Sequence, residues 1–382
     1  MREPHRACFW LLLLPRMRVG AVRVMAGRMD GQEHRPTGPT TSTVRPCACA
    51  PVRPPYVRPR YTHLPIKSIL NSPQQTGMGF WSLNPYVGCE FGCTYCFARF
   101  AHRYVVERGR DDGEPGTHAW DDSAFEHQVF VKSEAPDVLA LTLKPSRLGD
   151  AAIAIGTATD PYQPAERRFR LTRRILERLA QFHGLNVSLV TKAPLVARDL
   201  DVLARLAERS RLTVYLSLIA VEVPLIRKLE ARSPMPQVRL RALEKLVAGG
   251  IRTGVMIAPV LPGVTDGVSQ LLALMRAARN SGASFVHVAP LRLYPAVRPT
   301  FLPIVARHFP ALLARYERAF DARGSVTSEY ADALERRVAR LQRETGFTEA
   351  EGPDARTHRG ARAQGRRDRS SLDELGQWVL PL

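Results

Sequence analysis

Short apolar, β-branched runs recur from about residue 61 onward, and an amphipathic helical pattern follows each of them. The strand candidates are residues 80–87, 151–157, 186–191, 212–219, 252–260 and 284–293. Most of these runs are apolar on both faces, which is typical of buried parallel strands. The helix candidates are residues 134–144, 165–183, 194–209, 237–249, 267–281, 303–321 and 328–345. This alternation predicts an α/β fold with a largely parallel sheet.

The strands start roughly 25–35 residues apart, which is the spacing of successive right-handed βαβ units. Six such units fit either a partial (β/α)6 barrel or an open doubly wound sheet. Both architectures bind ligands at the carboxyl ends of their strands. The two alternatives therefore predict nearly the same location for a functional site.

The two ends of the chain differ in composition from this body. Residues 1–60 carry 11 Arg or Lys against 3 Asp or Glu and are rich in Pro and Thr, which predicts a disordered basic leader. We expect a barrel over 61–300, C-terminal helices packing on it over 301–345, and a mostly flexible tail over 346–382.

The apolar run at residues 7–15 is much shorter than the roughly 20 residues of a membrane span. Arginines follow it directly, and no small-residue cleavage site is evident, which disfavours a signal peptide. No cysteine occurs after Cys96, so the body has no disulfide framework and suits a reducing compartment. We therefore expect a cytoplasmic protein without a membrane partner.

The formal net charge of +19 suits contacts with a polyanion such as nucleic acid. Arg greatly outnumbers Lys, however, and coding bias alone can produce that excess. The charge therefore supports nucleic-acid binding only modestly.

Three cysteines follow the first predicted strand with the spacing Cys-x3-Cys-x2-Cys, namely Cys89, Cys93 and Cys96. Thiolates bind zinc, Cu(I) or iron–sulfur clusters. A zinc site needs a fourth ligand, for which His102 is the nearest donor in the sequence. A [4Fe–4S] cluster on three thiolates instead leaves one iron open to a substrate or cofactor.

Polar residues stand at the ends of the other apolar strands. The segment "GTATDPYQPAE" (156–166) follows the second strand, Lys192 follows the third, and Ser217 lies on the fourth. Glycine and proline are common in such loops, but polar side chains ending several apolar strands are not explained by turn chemistry. Their convergence predicts an active site at this edge of the sheet.

The cysteine spacing, with an aromatic residue just before the third cysteine, resembles the signature of the radical S-adenosylmethionine (SAM) superfamily. The resemblance implies a partial (β/α)6 TIM-like barrel, a [4Fe–4S] cluster on the three cysteines, and SAM bound at the open iron. It also implies that an electron from a flavodoxin- or ferredoxin-type reductant cleaves SAM to methionine and a 5′-deoxyadenosyl radical. That radical abstracts a hydrogen from the substrate, while the protein positions the reactants.

The sequence is further similar to the branch that includes spore photoproduct lyase, whose members are often labelled DNA repair photolyases. The similarity runs from about residue 64 to about residue 320. It is carried by "NPYVGCEFGCTYCFARF", "GTATDPYQPAE", "LVTKAPLVARDLDVL", "KLEARSPMPQVRL" and "VMIAPVLPGVTD".

This resemblance implies roles for individual residues. Tyr95 and Phe97 would flank the adenine, and Thr159 stands where a lyase serine contacts SAM. Lys192 would pair with the SAM carboxylate, and Ser217 would donate a hydrogen bond to it. The alternatives are a solvated strand-end lysine and an ordinary buried hydroxyl.

Further candidates lie in the same loops. Asp160 and Tyr162 are candidate catalytic residues, although Asp160 precedes a proline and could simply cap the turn. Glu230 and Arg232 are candidate cofactor contacts, with a loop salt bridge as the alternative. Thr157 is also a candidate for the cofactor site.

Two positions depart from the lyase pattern. Thr157 stands where the lyase has the cysteine that supplies a hydrogen atom to the product radical, and a hydroxyl O–H is too strong to do so. Phe97 stands where a tyrosine is expected directly after the third cluster cysteine. Both differences argue against reversal of the photoproduct itself and leave SAM cleavage intact.

Three functions remain open from the sequence. The first is a radical SAM enzyme acting on a nucleic-acid base or lesion. The second is a radical SAM enzyme acting on a protein or small molecule. The third is a non-catalytic iron–sulfur or zinc protein that binds nucleic acid, although such a protein would not need the polar strand-end residues.

Overall fold

The computed structural model describes residues 58–76, 79–102, 105, 124–149 and 151–347. Most of the predicted leader and of the predicted tail lies outside these residues. So do Cys8, Cys47 and Cys49 and the apolar run at 7–15.

The described residues form ten strands: β1 (Arg60–His63), β2 (Leu70–Asn71), β3 (Trp81–Leu83), β4 (Tyr86–Val87), β5 (Gln128–Val131), β6 (Ile153–Ile155), β7 (Asn186–Thr191), β8 (Arg211–Ser217), β9 (Thr253–Val260) and β10 (Val286–Pro290). Seven of them form one sheet in the order β10-β9-β8-β7-β6-β3-β2. Only the β2–β3 pair in this sheet is antiparallel.

The six parallel strands of this sheet follow one another in chain order. A doubly wound sheet instead reverses its strand order at a switch point. The structure therefore has the strand order of a partial (β/α)6 barrel, and the predicted α/β fold class is confirmed.

The described α-helices, some of them a single turn, have these bounds: α1 (Pro73–Thr76), α2 (Ala124–His127), α3 (Ala135–Thr142), α4 (Pro145–Leu148), α5 (Ala165–Phe169), α6 (Leu171–Leu179), α7 (Leu200–Arg209), α8 (Val223–Leu229), α9 (Pro236–Ala248), α10 (Val268–Asn280), α11 (Arg298–His308), α12 (Leu313–Arg318) and α13 (Ser328–Glu344). Short 3₁₀ helices over Pro194–Asp199 and Pro310–Leu312 precede α7 and α12.

The prediction of one strand over 80–87 is wrong, because the chain divides it at Asn84 and Pro85. β3 pairs with β6 in the barrel, whereas β4 pairs with β5 in a separate three-stranded sheet that also contains β1. Pro85 has no N–H to donate to a continuing ladder. The division directs the chain out of the barrel and into the cysteine segment.

The prediction of one helix over 165–183 is also wrong. Arg170 adopts a left-handed conformation, with φ of 52°, and separates α5 from α6. This conformation is unfavourable for a residue with a Cβ. The surrounding contacts, described below for Glu166, hold the two short helices in this arrangement.

Aromatic and small side chains fill the interior of the barrel. Phe80, Tyr215 and Phe285 cluster there with Met256 and two alanines. The Tyr215 and Phe285 rings meet edge to face, with 5.1 Å between centroids. Phe80 and Phe285 directly precede β3 and β10, and Tyr215 lies in β8 before Ser217, so this cluster lies below the polar strand-end residues.

The C-terminal part of the described chain packs on the barrel. α13 contacts α10 and β10, and Gln342 donates a hydrogen bond to the carbonyl of Val286 at 3.2 Å. The division at residues 300 and 345 stays a prediction. None of the helices in the described ranges combines the length and apolar composition that a membrane crossing requires.

Candidate active site

The cysteine segment begins at a tight approach between two backbones. Gly88 follows β4 with φ of 89°, and a Cβ there would lie 2.7 Å from the carbonyl oxygen of Gln128. Only glycine fits both the conformation and the space. The N–H of Cys89 then donates to the carbonyl of Phe125 at 2.9 Å, which fixes the first cysteine against α2.

The far side of the segment is bonded to the last residue of α8 and to the residues that follow it. Cys93 forms an antiparallel β-bridge with Glu230. The N–H of Thr94 donates to Leu229 at 3.0 Å, and the N–H of Arg232 donates to Phe91 at 3.3 Å. The three cysteines are therefore presented by a segment held on both sides.

All three cysteines are free thiols, with Cys89 and Cys93 buried and Cys96 partly exposed. Burial raises the pKa of each thiol, and the neighbouring cysteines raise that of Cys89 further. Thiolates here therefore need a cationic partner, which the irons of a cluster would supply. Three soft, adjacent donors on a fixed segment fit a [4Fe–4S] cluster with one open iron.

No group of three or more His, Cys, Asp or Glu side chains within the described residues is arranged to hold a metal ion. A cubane cluster makes a different demand, since each of its irons takes one ligand. His102, considered above as a fourth zinc ligand, is fully buried between Phe125 and Phe130. Its Nε2 atom forms a 2.7 Å hydrogen bond with the carbonyl of Gln128, so that nitrogen is engaged away from the cysteines.

The loop after β6 begins at Gly156, whose φ is 93°. Thr157 follows and forms buried hydrogen bonds with the hydroxyl of Ser82 at 2.7 Å and the amide of Asn84 at 3.0 Å. The side-chain Oδ1 atom of Asn84 accepts the N–H of Ala158 at 2.8 Å. The Thr157 hydroxyl is thus bonded to the end of β3.

Thr159 links the same loop to the cysteine segment. Its hydroxyl donates to the carbonyl of Gly88 at 2.7 Å and accepts the Gln163 amide at 2.9 Å. Gln163 also accepts the N–H of Glu90 at 3.0 Å. The hydroxyl of Thr159 therefore supports the segment that carries the first cysteine.

Asp160 is buried and bridges the ends of β6 and β7. One carboxylate oxygen accepts from the Thr191 hydroxyl at 2.6 Å and from the N–H of Tyr162 at 2.9 Å, and the other accepts from the N–H of Lys192 at 2.7 Å. Burial raises the pKa of Asp160, although these hydrogen bonds act to lower it. The side chain of Tyr162 is buried beside Asp199, and burial and that carboxylate raise its pKa. This location gives no geometric support to a catalytic Tyr162.

Lys192 and Ser217 meet at the carboxyl ends of β7 and β8. The Lys192 ammonium donates to the Ser217 hydroxyl at 2.8 Å and to the Tyr95 hydroxyl at 3.2 Å, and it lies 3.1 Å from Glu230 Oε1. Tyr95 in turn donates a short hydrogen bond to Glu230. The strand-end residues and the residue before the third cysteine therefore form one group.

Glu230 is fully buried and contacts a second cation, Arg239, through Oε2. Ser233 donates to the same oxygen at 2.7 Å. Burial alone would raise the pKa of Glu230, but the charges of Arg239 and Lys192 hold it well below its usual range. Glu230 is therefore an anion shared by two cations. We name Tyr95, Lys192, Ser217, Glu230 and Arg239 the Glu230 group.

The remaining candidates lie around this group. The Phe97 ring stacks on the exposed Phe100 with 6.4 Å between centroids, so an aromatic surface borders the third cysteine. The guanidinium of Arg232 lies against Gly92 in the cysteine segment. The assignment of these residues to cofactor contacts stays a prediction.

Arg239, Ser233, Asn84 and Gln163 take part in the site but were absent from the sequence-based candidates. Arg239 lies on α9, and the sequence pattern of an amphipathic helix predicts that its arginines are exposed to solvent. Arg239 is buried because its guanidinium has hydrogen-bond acceptors at the end of β8 and in the 230–234 segment. The periodicity of the helix does not reveal these partners.

The sequence profile of the Radical SAM superfamily matches residues 83–275, about half of the chain. This chain belongs to the radical SAM superfamily. It is an enzyme of that superfamily, whose members use a [4Fe–4S] cluster and SAM.

An uncharacterised protein of Mycobacterium tuberculosis is 36% identical over 277 residues, which cover 72% of this chain and 78% of that protein. An uncharacterised protein of Methanocaldococcus jannaschii is 30% identical over 184 residues, covering 48% of this chain and 61% of that protein. Neither protein's name states a function.

Two solved structures share the fold. A single-residue variant of spore photoproduct lyase has a TM-score of 0.53 and 15% identity, covering 75% of this chain and 82% of that one. Spore photoproduct lyase complexed with dinucleoside spore photoproduct has a TM-score of 0.52 and 14% identity, covering 75% and 79%. At these identities the likeness concerns the fold, and it confirms the expected barrel type.

Proposed function

We propose that this protein binds a [4Fe–4S] cluster through Cys89, Cys93 and Cys96 and cleaves SAM reductively. When bound, the cluster and SAM together supply a 5′-deoxyadenosyl radical that abstracts a hydrogen from the substrate. The electron comes from a one-electron reductant, for which a flavodoxin- or ferredoxin-type protein is the proposed partner. The main support for this proposal is a direct hydrogen bond between the cysteine segment and the cation at the strand ends, which Lys192 donates to Tyr95.

The side chains of this chain bind and orient the cofactor. Lys192 supplies a positive charge at the carboxyl end of β7, where the carboxylate of SAM would bind, and Ser217 adds a hydroxyl beside it. Asp160 holds the backbone of Lys192 in place. Tyr95 precedes the third cysteine in the sequence, and the centroid of its ring lies 5.5 Å from Lys192 Nζ.

Residue 157 is a threonine, so no cysteine at this position can supply the hydrogen atom that converts the product radical to the product. Thr157 is bonded to Ser82 and Asn84, and the three cysteines of the described residues are the proposed cluster ligands. The proposed reaction is therefore different from reversal of the spore photoproduct.

The test is anaerobic reconstitution of the full chain, followed by dithionite and SAM and measurement of 5′-deoxyadenosine. We expect deoxyadenosine from the wild type and none above background from Cys96→Ser. A wild-type protein that carries a complete cluster but forms no deoxyadenosine would refute the proposal.

A nucleic-acid base or lesion is the substrate class that we propose, with a protein or small molecule as the alternative. No acidic residue occurs over residues 267–316, which contain six arginines. α11 lies in this stretch and contacts both α8 and the cysteine segment, because the Thr300 hydroxyl donates to the Thr94 carbonyl at 3.0 Å.

Positive side chains gather where α8 and α11 meet. Burial, together with the charges of Lys228 and Arg307, lowers the pKa of His308. The Lys228 ammonium lies 5.7 Å from the centroid of the Phe309 ring. A basic surface beside the cysteine segment suits a phosphate backbone whose base enters the site.

Binding to single-stranded DNA and RNA should be measured at several salt concentrations. We expect the affinity to fall as the salt concentration rises. In the double variant Lys228→Gln/Arg307→Gln, the slope of log affinity against log salt concentration should be smaller in magnitude by about 2. If the double variant had the same slope as the wild type, this surface would not be the nucleic-acid-binding surface. A wild type without measurable affinity would favour the protein or small-molecule substrate.

A further inference from the structure

The Lys192 ammonium already uses three hydrogen bonds, which is the full number that a lysine can donate. Its acceptors are Glu230, Ser217 and Tyr95. The side chain is only 13% exposed. A ligand carboxylate must therefore share or replace one of these contacts, and the orientation of the ammonium is set by the protein beforehand.

Glu230 is enclosed from its other side. Arg239 and Ser233 bond to Oε2, and Tyr95 and Lys192 bond to Oε1. With 0% exposure of its side chain, Glu230 has no surface left for a cofactor. This location differs from the cofactor contact that the sequence suggested.

Arg239 determines where the Glu230 carboxylate lies. Its fully buried guanidinium also donates to the carbonyl of Ser217 at 2.9 Å and to that of Pro234 at 2.8 Å. The planar fork of arginine holds several acceptors in fixed directions, which a lysine cannot do. Arg239 thus joins the end of β8 to the segment that carries Glu230.

The backbone of Glu230 is also bridged to Cys93. One residue therefore contacts the cysteine segment through its backbone and the strand-end cation through its side chain. A shift of Glu230 would change the location of Lys192 relative to the cysteines.

We propose that Glu230, held by Arg239, is a positioning residue that orients Lys192 toward the carboxylate of the cofactor. It makes no cofactor contact of its own. This inference rests on the proposed function, and it adds Arg239, a residue on α9, to the determinants of cofactor affinity.

The experiment compares two ligands on the reconstituted full chain. S-adenosylhomocysteine retains the amino-acid carboxylate, whereas 5′-methylthioadenosine lacks it. Glu230→Asp keeps the charge but withdraws the carboxylate from Lys192, and Arg239→Lys keeps the charge but loses the fork. We expect each variant to weaken S-adenosylhomocysteine binding about tenfold and to leave methylthioadenosine binding unchanged.

A double-mutant cycle separates positioning from general destabilisation. In a Lys192→Met background, Glu230→Asp should have no further effect on S-adenosylhomocysteine, because the residue through which it acts is gone. Iron content and melting temperature, measured for every variant, identify proteins that are misfolded or lack the cluster. Arg239→Lys provides an independent variant if Glu230→Asp does not fold.

Equal weakening of both ligands, no weakening of either, or the same loss in the Lys192→Met background would overturn the inference while leaving the proposed function standing. A wild type that binds neither ligand would instead overturn the proposed function and this inference together.

Discussion

Two groups of ion pairs lie near the strand ends, one buried and one partly exposed, and they differ in how their charges are balanced. In the Glu230 group, one carboxylate is shared by two cations. In the second group, which we name the Glu166 group, Arg173 and Arg198 face the carboxylates of Glu166, Asp199 and Asp201.

The partners of Glu166 are parts of the scaffold. Its carboxylate accepts from the Tyr86 hydroxyl at 2.5 Å and from the N–H groups of Thr172 and Arg173 at 3.0 and 3.2 Å. Those N–H groups belong to the first turn of α6, where a carboxylate is favourable. The Glu166 group therefore stabilises the break between α5 and α6, and its polar atoms are satisfied by the protein.

The Glu230 group instead ends at the partly exposed ammonium of Lys192, beside the cysteines. Each group contains a fully buried carboxylate that is shared by two cations, Glu230 in one and Asp199 in the other, so a buried ion pair by itself does not distinguish a functional group from a structural one. What distinguishes them is the sign of the excess charge. Two cations face one carboxylate in the Glu230 group, which leaves a positive charge at the partly exposed ammonium next to the cysteines, whereas two cations face three carboxylates in the Glu166 group.

The largest effect should come from the cysteines next to the Glu230 group. Cys93→Ser removes one of the three proposed cluster ligands, so we expect loss of the iron content and of the cluster's visible absorbance on reconstitution. Cys47→Ser, in the predicted leader, is the matched control and should keep both. Loss of iron in the control alone would place the cluster elsewhere.

Glu166→Ala should test the scaffold role. The substitution leaves the Tyr86 hydroxyl and the first-turn N–H groups of α6 without their acceptor, while Arg198 keeps its ion pair with Asp199, so we expect the free energy of unfolding to fall by about 1–3 kcal/mol. Denaturant unfolding measures this change. Affinity for S-adenosylhomocysteine in the folded fraction should stay at the wild-type value. A selective loss of this affinity would mean that the Glu166 group, like the Glu230 group, contributes to the cofactor site.

Lys192→Met should show the opposite pattern. It removes the ammonium but retains the aliphatic length, so we expect S-adenosylhomocysteine affinity to fall about tenfold with the cluster retained. Calorimetric titration measures this, and Lys245→Met on the exposed side of α9 is the control. If Lys192→Met left affinity unchanged, the strand-end cation would not be part of the cofactor site.

The smallest effect concerns the break next to Glu166. Arg170→Gly relieves the left-handed conformation of an exposed arginine, and we expect a gain of about 0.5–1 kcal/mol in the free energy of unfolding. Thermal and denaturant unfolding measure it. A loss of stability would mean that the Arg170 side chain, and not the backbone strain, dominates at this position.

Several features were predictable because they are local. The cysteine spacing lies within eight residues, and the apolar runs revealed the strands whose ends carry Lys192 and Ser217. Because parallel strands in a barrel end on the same side, strand positions alone brought these two residues together with the cysteines.

Other features required the tertiary structure. The division of the first predicted strand at Pro85 depends on β5 accepting β4 as a partner, and β5 lies about forty residues further along the chain. The engagement of His102 with Gln128 likewise depends on that second sheet.

The sequence by itself therefore determined the superfamily and the α/β class, because these rest on the short-range spacing of the cysteines and on the periodicity of single elements. The three-cysteine ligand set stays a proposal. Only the tertiary structure decided that Glu230 is enclosed by Arg239 and bonded to Lys192 and Tyr95. The physical reason is that a carboxylate on a loop can equally form a surface salt bridge or contact a ligand. Its role depends on which buried donors distant parts of the chain bring to it.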